Sequence, residues 1–358
     1  MQAATLLAFG VASAVNAAAI QDRSNSTQGY IFKPENAESY WQGNIPVLFD
    51  FGESQLITTI NNVSCGSSWW TSSYITGTNG EQYLAVSHVL ISADNTSYYR
   101  SSTLDLDNLD NYSSFITYAN DSILQAGSRM NLTLDGNGFE SLTDDNLSKM
   151  RTYSNHGDVT FDFTYNASSA AIVDAGSGLF TFGTGFTYEW GFPNCYTEGS
   201  LTINGEVITV DPENSFTWYD RQWNQGFPST GNWTWFELHI PNTKYKLSIW
   251  AIDNTDPAQT VRFATIRTED GSQNVVPTTW TPDYTRHWYS NATATDYALD
   301  WTVTIGDYSS LRISSITKDQ EIVGDSAFTT AYEGFVTFDG QFEGNNVQGF
   351  GVVEILYA

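Results

Sequence analysis

The chain has 358 residues and a formal charge of −26, from 14 lysines and arginines against 40 aspartates and glutamates. Such a field repels nucleic acid and anionic membrane surfaces, so neither is expected as a partner. Only two cysteines are present, Cys65 and Cys195, which permits one disulfide but excludes a disulfide scaffold or a cysteine zinc centre.

In chain order, Met1 to Ala19 carry no charge and run through Leu6, Leu7, Phe9 and Val11 into Ala17-Ala18-Ala19, the pattern of a cleaved signal peptide. No later apolar stretch approaches the ~20 residues of a membrane span. The expectation is a soluble protein of the secretory pathway, secreted or held in an endomembrane lumen, with no membrane insertion. Sequons at Asn25, Asn62, Asn95, Asn111, Asn120, Asn131, Asn146, Asn166, Asn232 and Asn291 agree, and several are expected to carry glycans on exposed turns.

Residues 20–150 read as loop-rich, and Asp144 to Thr152 is the best short helical candidate. From Asp158 the pattern is strand. Val159, Phe161 and Phe163 alternate with polar residues, and Ser200 to Val210 is two alternating runs joined by the hairpin signal Asn204-Gly205. Trp233 to Ile240 and Tyr245 to Ile252 pair through Pro241-Asn242-Thr243, and further runs cover 261–266, 299–305, 311–316, 335–338 and 349–356. No repeat of 20–50 residues is present, so the class is all-β, in barrels or sandwiches. A division near Asp211-Pro212 gives an N-terminal β-domain over 20–211 and a C-terminal one over 212–358.

The chemistry concentrates in Phe216 to Trp223. In a strand, Trp218, Asp220 and Gln222 share one face while Tyr219, Arg221 and Trp223 share the other. Indoles around Asp220 raise its pKa by desolvation, and a protonated carboxyl in an apolar pocket is a Brønsted acid. Trp218 and Tyr219 can stabilise a developing cation. On the next strand Trp233, Trp235, Glu237 and His239 share a face that suits a pocket lining, opposite a core face of Phe236, Leu238 and Ile240. Arg221 reads as structural, with Glu354 or Glu333 as its buried partner. The histidines His88, His156, His239 and His287 are dispersed, and no calcium loop, P-loop or dinucleotide fingerprint is present, so no metal and no cofactor is expected.

These residues carry a family resemblance. Trp218-Tyr-Asp-Arg-Gln-Trp223, followed by Trp233-Thr-Trp-Phe-Glu-Leu-His239, resembles the signature of the kievitone hydratase and carotenoid 1,2-hydratase group, shared with fungal Diels–Alderase-type pericyclases. Tyr188-Glu-Trp-Gly-Phe-Pro193, Tyr332-Glu-Gly334 and Gly349-Phe-Gly-Val-Val-Glu354 follow the same order, so the match spans roughly 185–358. The resemblance implies two lipocalin-like domains, a ligand pocket at or between them, and acid-assisted chemistry on an apolar isoprenoid, polyketide or alkaloid. It makes Asp220 the acid and adds Tyr188 and Trp190 to the substrate contacts. Arg221 stands where many members have His, and Asn224 where Gly is usual, so no role of that His transfers. Alkene hydration, or cyclisation or epoxide rearrangement through a cation, leads. A pericyclase and a non-catalytic carrier of an apolar metabolite are the alternatives.

Overall fold

The computed structural model describes residues 29–36, 45–93, 97–119 and 127–357. The signal segment at 1–19 and the sequons at Asn25, Asn95 and Asn120 lie outside the described residues.

The C-terminal half is a ring of antiparallel strands, each bonded to the next in sequence. Gly231–His239, Lys246–Thr255, Ala258–Arg267, Gln273–Ser290, Thr295–Ile305 and Ser309–Ser315 form a meander. Ala331–Phe342 and Asn345–Tyr357 close it, pairing respectively with Ser309–Ser315 and Gly231–His239. Alternation sends Phe236, Leu238, Leu247, Ile249, Trp301 and Val353 inward, and they fill the barrel. A barrel packed this way leaves its ligand surface outside.

The other sheet runs Tyr112–Ala119, Ser97–Asp105, Gln82–Ile91, Gly66–Thr76, Phe216–Gln225, Gly185–Ile203, Val159–Asn166, Lys149–His156, Asn137–Ser141, Asn131–Leu134. It curls until its two ends meet, where the Thr117 hydroxyl donates to Asp135 at 2.8 Å. Trp69, Tyr99, Trp190, Phe192 and Tyr219 pack inside the curl. The molecule is all-β and lipocalin-like, as the patterning and the resemblance indicated.

Several expectations change. The chain leaves the first sheet after Gln225, not at Asp211-Pro212. Phe216–Gln225 is an interior strand of that sheet because Tyr219 and Trp223 complete its core. The loop-rich reading of 20–150 misses four long strands, whose alternation is hidden by Ser and Thr that face the interior and bond one another. Thr71 to Ser87 at 3.0 Å and Ser73 to Thr217 at 2.9 Å are examples. Asp144 to Thr152 is a turn running into a strand: Asp145 accepts from the Leu147 and Ser148 amides, and Asn146 is left-handed at φ 61°. Asn146 is buried, donating to the Ser128 carbonyl and accepting from the Met130 amide, so its sequon is closed to a glycan. The disulfide is also absent. Cys65 and Cys195 are separate buried thiols, Cys65 beside the Ser67 hydroxyl and Cys195 on the Phe192 carbonyl.

The sheets meet through their outer faces. Trp70, Tyr74, Val86 and Trp218 of the first pack on Trp235, Trp250, Phe335 and Phe350 of the barrel. Phe32, on the segment 29–36, is buried in the same seam, and Glu35 pairs there with Arg267 and Lys246.

Candidate active site

Register across the strands builds the site. Residues directly opposite in antiparallel pairs share a face, so Gly191, Asp220, Trp70, His88 and Arg100 form one row across five strands of the first sheet. Beside it runs Glu189, Gln222, Ser68, Leu90 and Tyr98. The barrel answers with Glu333, Glu354, Trp235, Trp250 and Phe263, and with Leu356 and Trp233 in the next row. Between these floors lies a cavity of about 660 Å³ in the seam, with Phe227 and Phe328 in edge contact at its lining.

Asp220 is buried, and its Oδ1 has no hydrogen-bond partner. Carboxyl oxygens of Asp174, Glu189 and Asp220 all lie within 4.8 Å of one another. Three buried carboxylates at that spacing cannot all ionise, and their donors rank them. Asp174 accepts from the Ser248 hydroxyl at 2.6 Å and the Thr265 hydroxyl at 3.2 Å, and burial lifts it only to about 6. Glu189 accepts from Gln222 at 3.0 Å, but burial and Asp174 push it well above the usual range. Burial, then Asp174 and Glu237, push Asp220 well above it too. Burial and its acidic neighbours therefore push Asp220 toward its protonated form inside an indole-lined pocket. Gly191 makes room for it: a Cβ there would sit 3.0 Å from the Trp218 indole nitrogen and 3.3 Å from Asp220 Oδ1.

At the far end of the row Arg100 crosses the seam, 2.6 Å from Glu333 and 3.0 Å from Glu354, whose other oxygen accepts from the Trp233 indole at 3.1 Å. His88, Glu333 and Glu354 have metal-ligand chemistry within 4.8 Å, yet the Arg100 guanidinium already supplies the cation there. Replacing Arg100 with Met is expected to cost about 3–5 kcal/mol by stranding the buried Glu333 and the partly buried Glu354. Denaturant unfolding would show it, and Glu333→Gln in the same chain should recover part of the loss. An unchanged midpoint would refute this reading of the clamp.

Of the residues expected at the site, Asp220, Trp233 and Trp235 line the cavity. Trp218 packs behind it, its ring 6.1 Å from Trp235. Tyr219, Tyr188 and Trp190 lie on the wrong face. They pack inside the first sheet, Tyr219 on Gln55, Trp190 on the Ser54 hydroxyl and Tyr188 stacked on Trp223. Glu189, between Tyr188 and Trp190, is the residue that faces the cavity, because side chains alternate. Glu237 sits deeper, accepting from Ser72 and Tyr74, and His239 is enclosed by Tyr74, Phe216, Trp218 and Phe350. Arg221 does not pair with Glu333 or Glu354. Its guanidinium donates to the Ser54, Ile57 and Ser68 carbonyls and lies 4.0 Å over Trp69, so the acids belong to Arg100 instead. Asp174, His88 and Arg100 were not expected at the site. Their only sequence signal is a charged or imidazole residue between strand formers, and the pairing register alone gives it meaning.

Two back-to-back antiparallel barrels with a carboxyl-lined pocket in the seam define a class, and the comparisons identify it. The chain belongs to the AttH-like family, whose family model matches residues 115–356. It is 50% identical over 359 residues to kievitone hydratase of Fusarium solani subsp. phaseoli, covering 100% of this chain and 99% of that protein. Dehydratase asqC of Emericella nidulans is 40% identical over 342 residues, 92% of this chain and 94% of that one. The crystal structure of kievitone hydratase from Nectria haematococca matches with a TM-score of 0.85 at 43% identity, covering 92% of this chain and 99% of that chain. The resemblance carried by residues 185–358 thus holds and extends over the whole chain.

Proposed function

We propose that this hydratase-type enzyme of secondary metabolism acts on a small apolar, prenylated or isoprenoid-like molecule by Brønsted-acid catalysis, with Asp220 as the acid and without a cofactor. The observation that supports it is the buried Asp220 carboxyl, whose Oδ1 has no hydrogen-bond partner, pushed toward its protonated form by burial and by Asp174 and facing a cavity walled by Trp70, Trp233, Trp235 and Trp250. Asp220 gives its proton to one alkene carbon. The tertiary cation left on the other is stabilised by the indole faces, and water captures it. Run backward, the same groups dehydrate an alcohol, and the relatives are named a hydratase and a dehydratase. The named compound of the first relative, kievitone, is the natural probe.

The test is an untargeted mass-spectrometric comparison of producing cells that carry wild-type protein or Asp220→Asn. One metabolite should accumulate and another, differing by one water, should vanish. An unchanged profile with folded variant protein would exclude acid catalysis at Asp220. Equal turnover by chelator-treated and untreated protein would bear out a metal-independent reaction. For the secretory-pathway reading, the support among described residues is that the sequon asparagines Asn62 and Asn291 are exposed at turns, where a glycan fits.

A further inference from the structure

The pocket has a second polar end. We propose that His88 and Glu354 hold the attacking water there and that His88 receives its proton, on the side of Trp70 opposite Asp220. This rests on the acid-catalysed hydration proposed above.

The geometry starts from the row Asp220, Trp70, His88. Two strand spacings separate its ends by about 10 Å between Cα atoms. A planar alkene laid on the Trp70 indole therefore has the acid at one edge and the imidazole at the other. Hydration needs that separation, because the proton goes to one carbon and the water oxygen to its neighbour. His88 is buried and lines the cavity; its Nε2 is 2.8 Å from the Ser68 hydroxyl while its Nδ1 has no partner. One nitrogen of His88 and one oxygen each of Glu333 and Glu354 all lie within 4.8 Å. A single water oxygen, at about 2.8 Å from its partners, spans such a gap.

The groups around His88 suit a proton acceptor. Burial, then the Arg100 charge, hold the imidazole neutral. Arg100 binds Glu333 and Glu354 and the Trp233 indole fixes the second oxygen of Glu354, so the carboxylate is held in place to orient the water. The Tyr98 ring, in edge contact at 5.5 Å, packs on the imidazole. The step balances. The alkene π pair takes the Asp220 proton, forming a C–H bond and leaving a carboxylate and a carbocation. A water lone pair forms the C–O bond, one water O–H bond breaks, and its proton goes to His88. Solvent in the pocket returns a proton from the imidazolium to Asp220, for a net uptake of one water.

A buried histidine satisfied by Ser68 alone would have none of this chemistry, and two measurements separate the readings. A high-resolution crystal structure should show an ordered water within roughly 3.2 Å of both a His88 nitrogen and a Glu354 oxygen; a dry contact there overturns the proposal without reference to any substrate. The second measurement incubates wild type, His88→Asn and Glu354→Gln with kievitone in D₂O. His88→Asn should form alcohol at least about 100-fold more slowly, yet recovered substrate should still gain deuterium, because Asp220 continues to protonate the alkene and the cation collapses back. Alcohol formation at the wild-type rate, or deuterium uptake lost together with hydration, sinks the water-holding role. Failure of the underlying reading looks different: Asp220→Asn would then keep both deuterium uptake and hydration. If kievitone is not turned over by wild type, the crystallographic result decides alone.

Discussion

Asp220→Asn is expected to lower kcat by about 10²–10⁴-fold with little change in KM and no loss of stability. Asparagine fills the same volume and keeps a carbonyl oxygen, but it cannot give up a proton. The neighbourhood makes the second half of the prediction sharp. Asp220 lies within 4.8 Å of Asp174 and Glu189 and is driven up chiefly by burial and then by Asp174. Removing one member of a crowded acid group relieves repulsion, so the variant should melt at or above the wild-type temperature at pH 8. A site that costs stability and is needed for turnover is the signature of strain kept for function. Steady-state kinetics with thermal melting of the same preparation checks both parts. A mild rate loss would instead favour a pericyclase, in which the carboxyl only hydrogen-bonds a carbonyl, and binding without turnover would favour a carrier.

The second large effect is on stability against pH. Five buried carboxyls along the seam have pKa values above the ~4 of an unfolded chain. Asp174 is at about 6 and Glu333 at about 7, each raised by burial, and burial lifts Glu237 to about 8. Asp220 and Glu189 are raised well above the usual carboxylate range, also chiefly by burial. A raised folded-state pKa means that the folded protein binds the proton more tightly than the unfolded chain does. The stability is full below about pH 4 for these groups and is lost as pH rises through 6 to 8. Each proton in play costs about 1.4 kcal/mol per pH unit. The melting temperature should therefore fall steadily between pH 5 and pH 8. Glu237→Gln, which keeps an acceptor for the Ser72 and Tyr74 hydroxyls, should flatten the slope. A flat or rising curve in wild type would refute the protonated seam.

Much of the site was legible where strands alternate cleanly. The face shared by Trp218, Asp220 and Gln222, and that shared by Trp233 and Trp235, are read directly from period two, and both meet at the seam. The same rule misplaces Tyr188 and Trp190 when aromatic character is taken as a sign of substrate contact. Their indole and phenol rings are core, and the small and charged residues between them, Glu189 and Gly191, face the ligand. Asn146 shows the same limit for a surface motif: the sequon is present, but its side chain is used up in tying a turn to Met130 and Ser128.

What the sequence determined by itself is the all-β class, the acid candidate and the family, because these depend on local alternation and on short runs of residues. The partners of each charge were decided only by the tertiary structure. Arg100 and Glu333 are 233 residues apart, and Asp174 reaches Asp220 only through strand pairing, in which Ile172 lies opposite Gly191 and Gly191 opposite Asp220. Antiparallel register selects which distant residues share a row, and burial at the seam then fixes which carboxyls keep their protons.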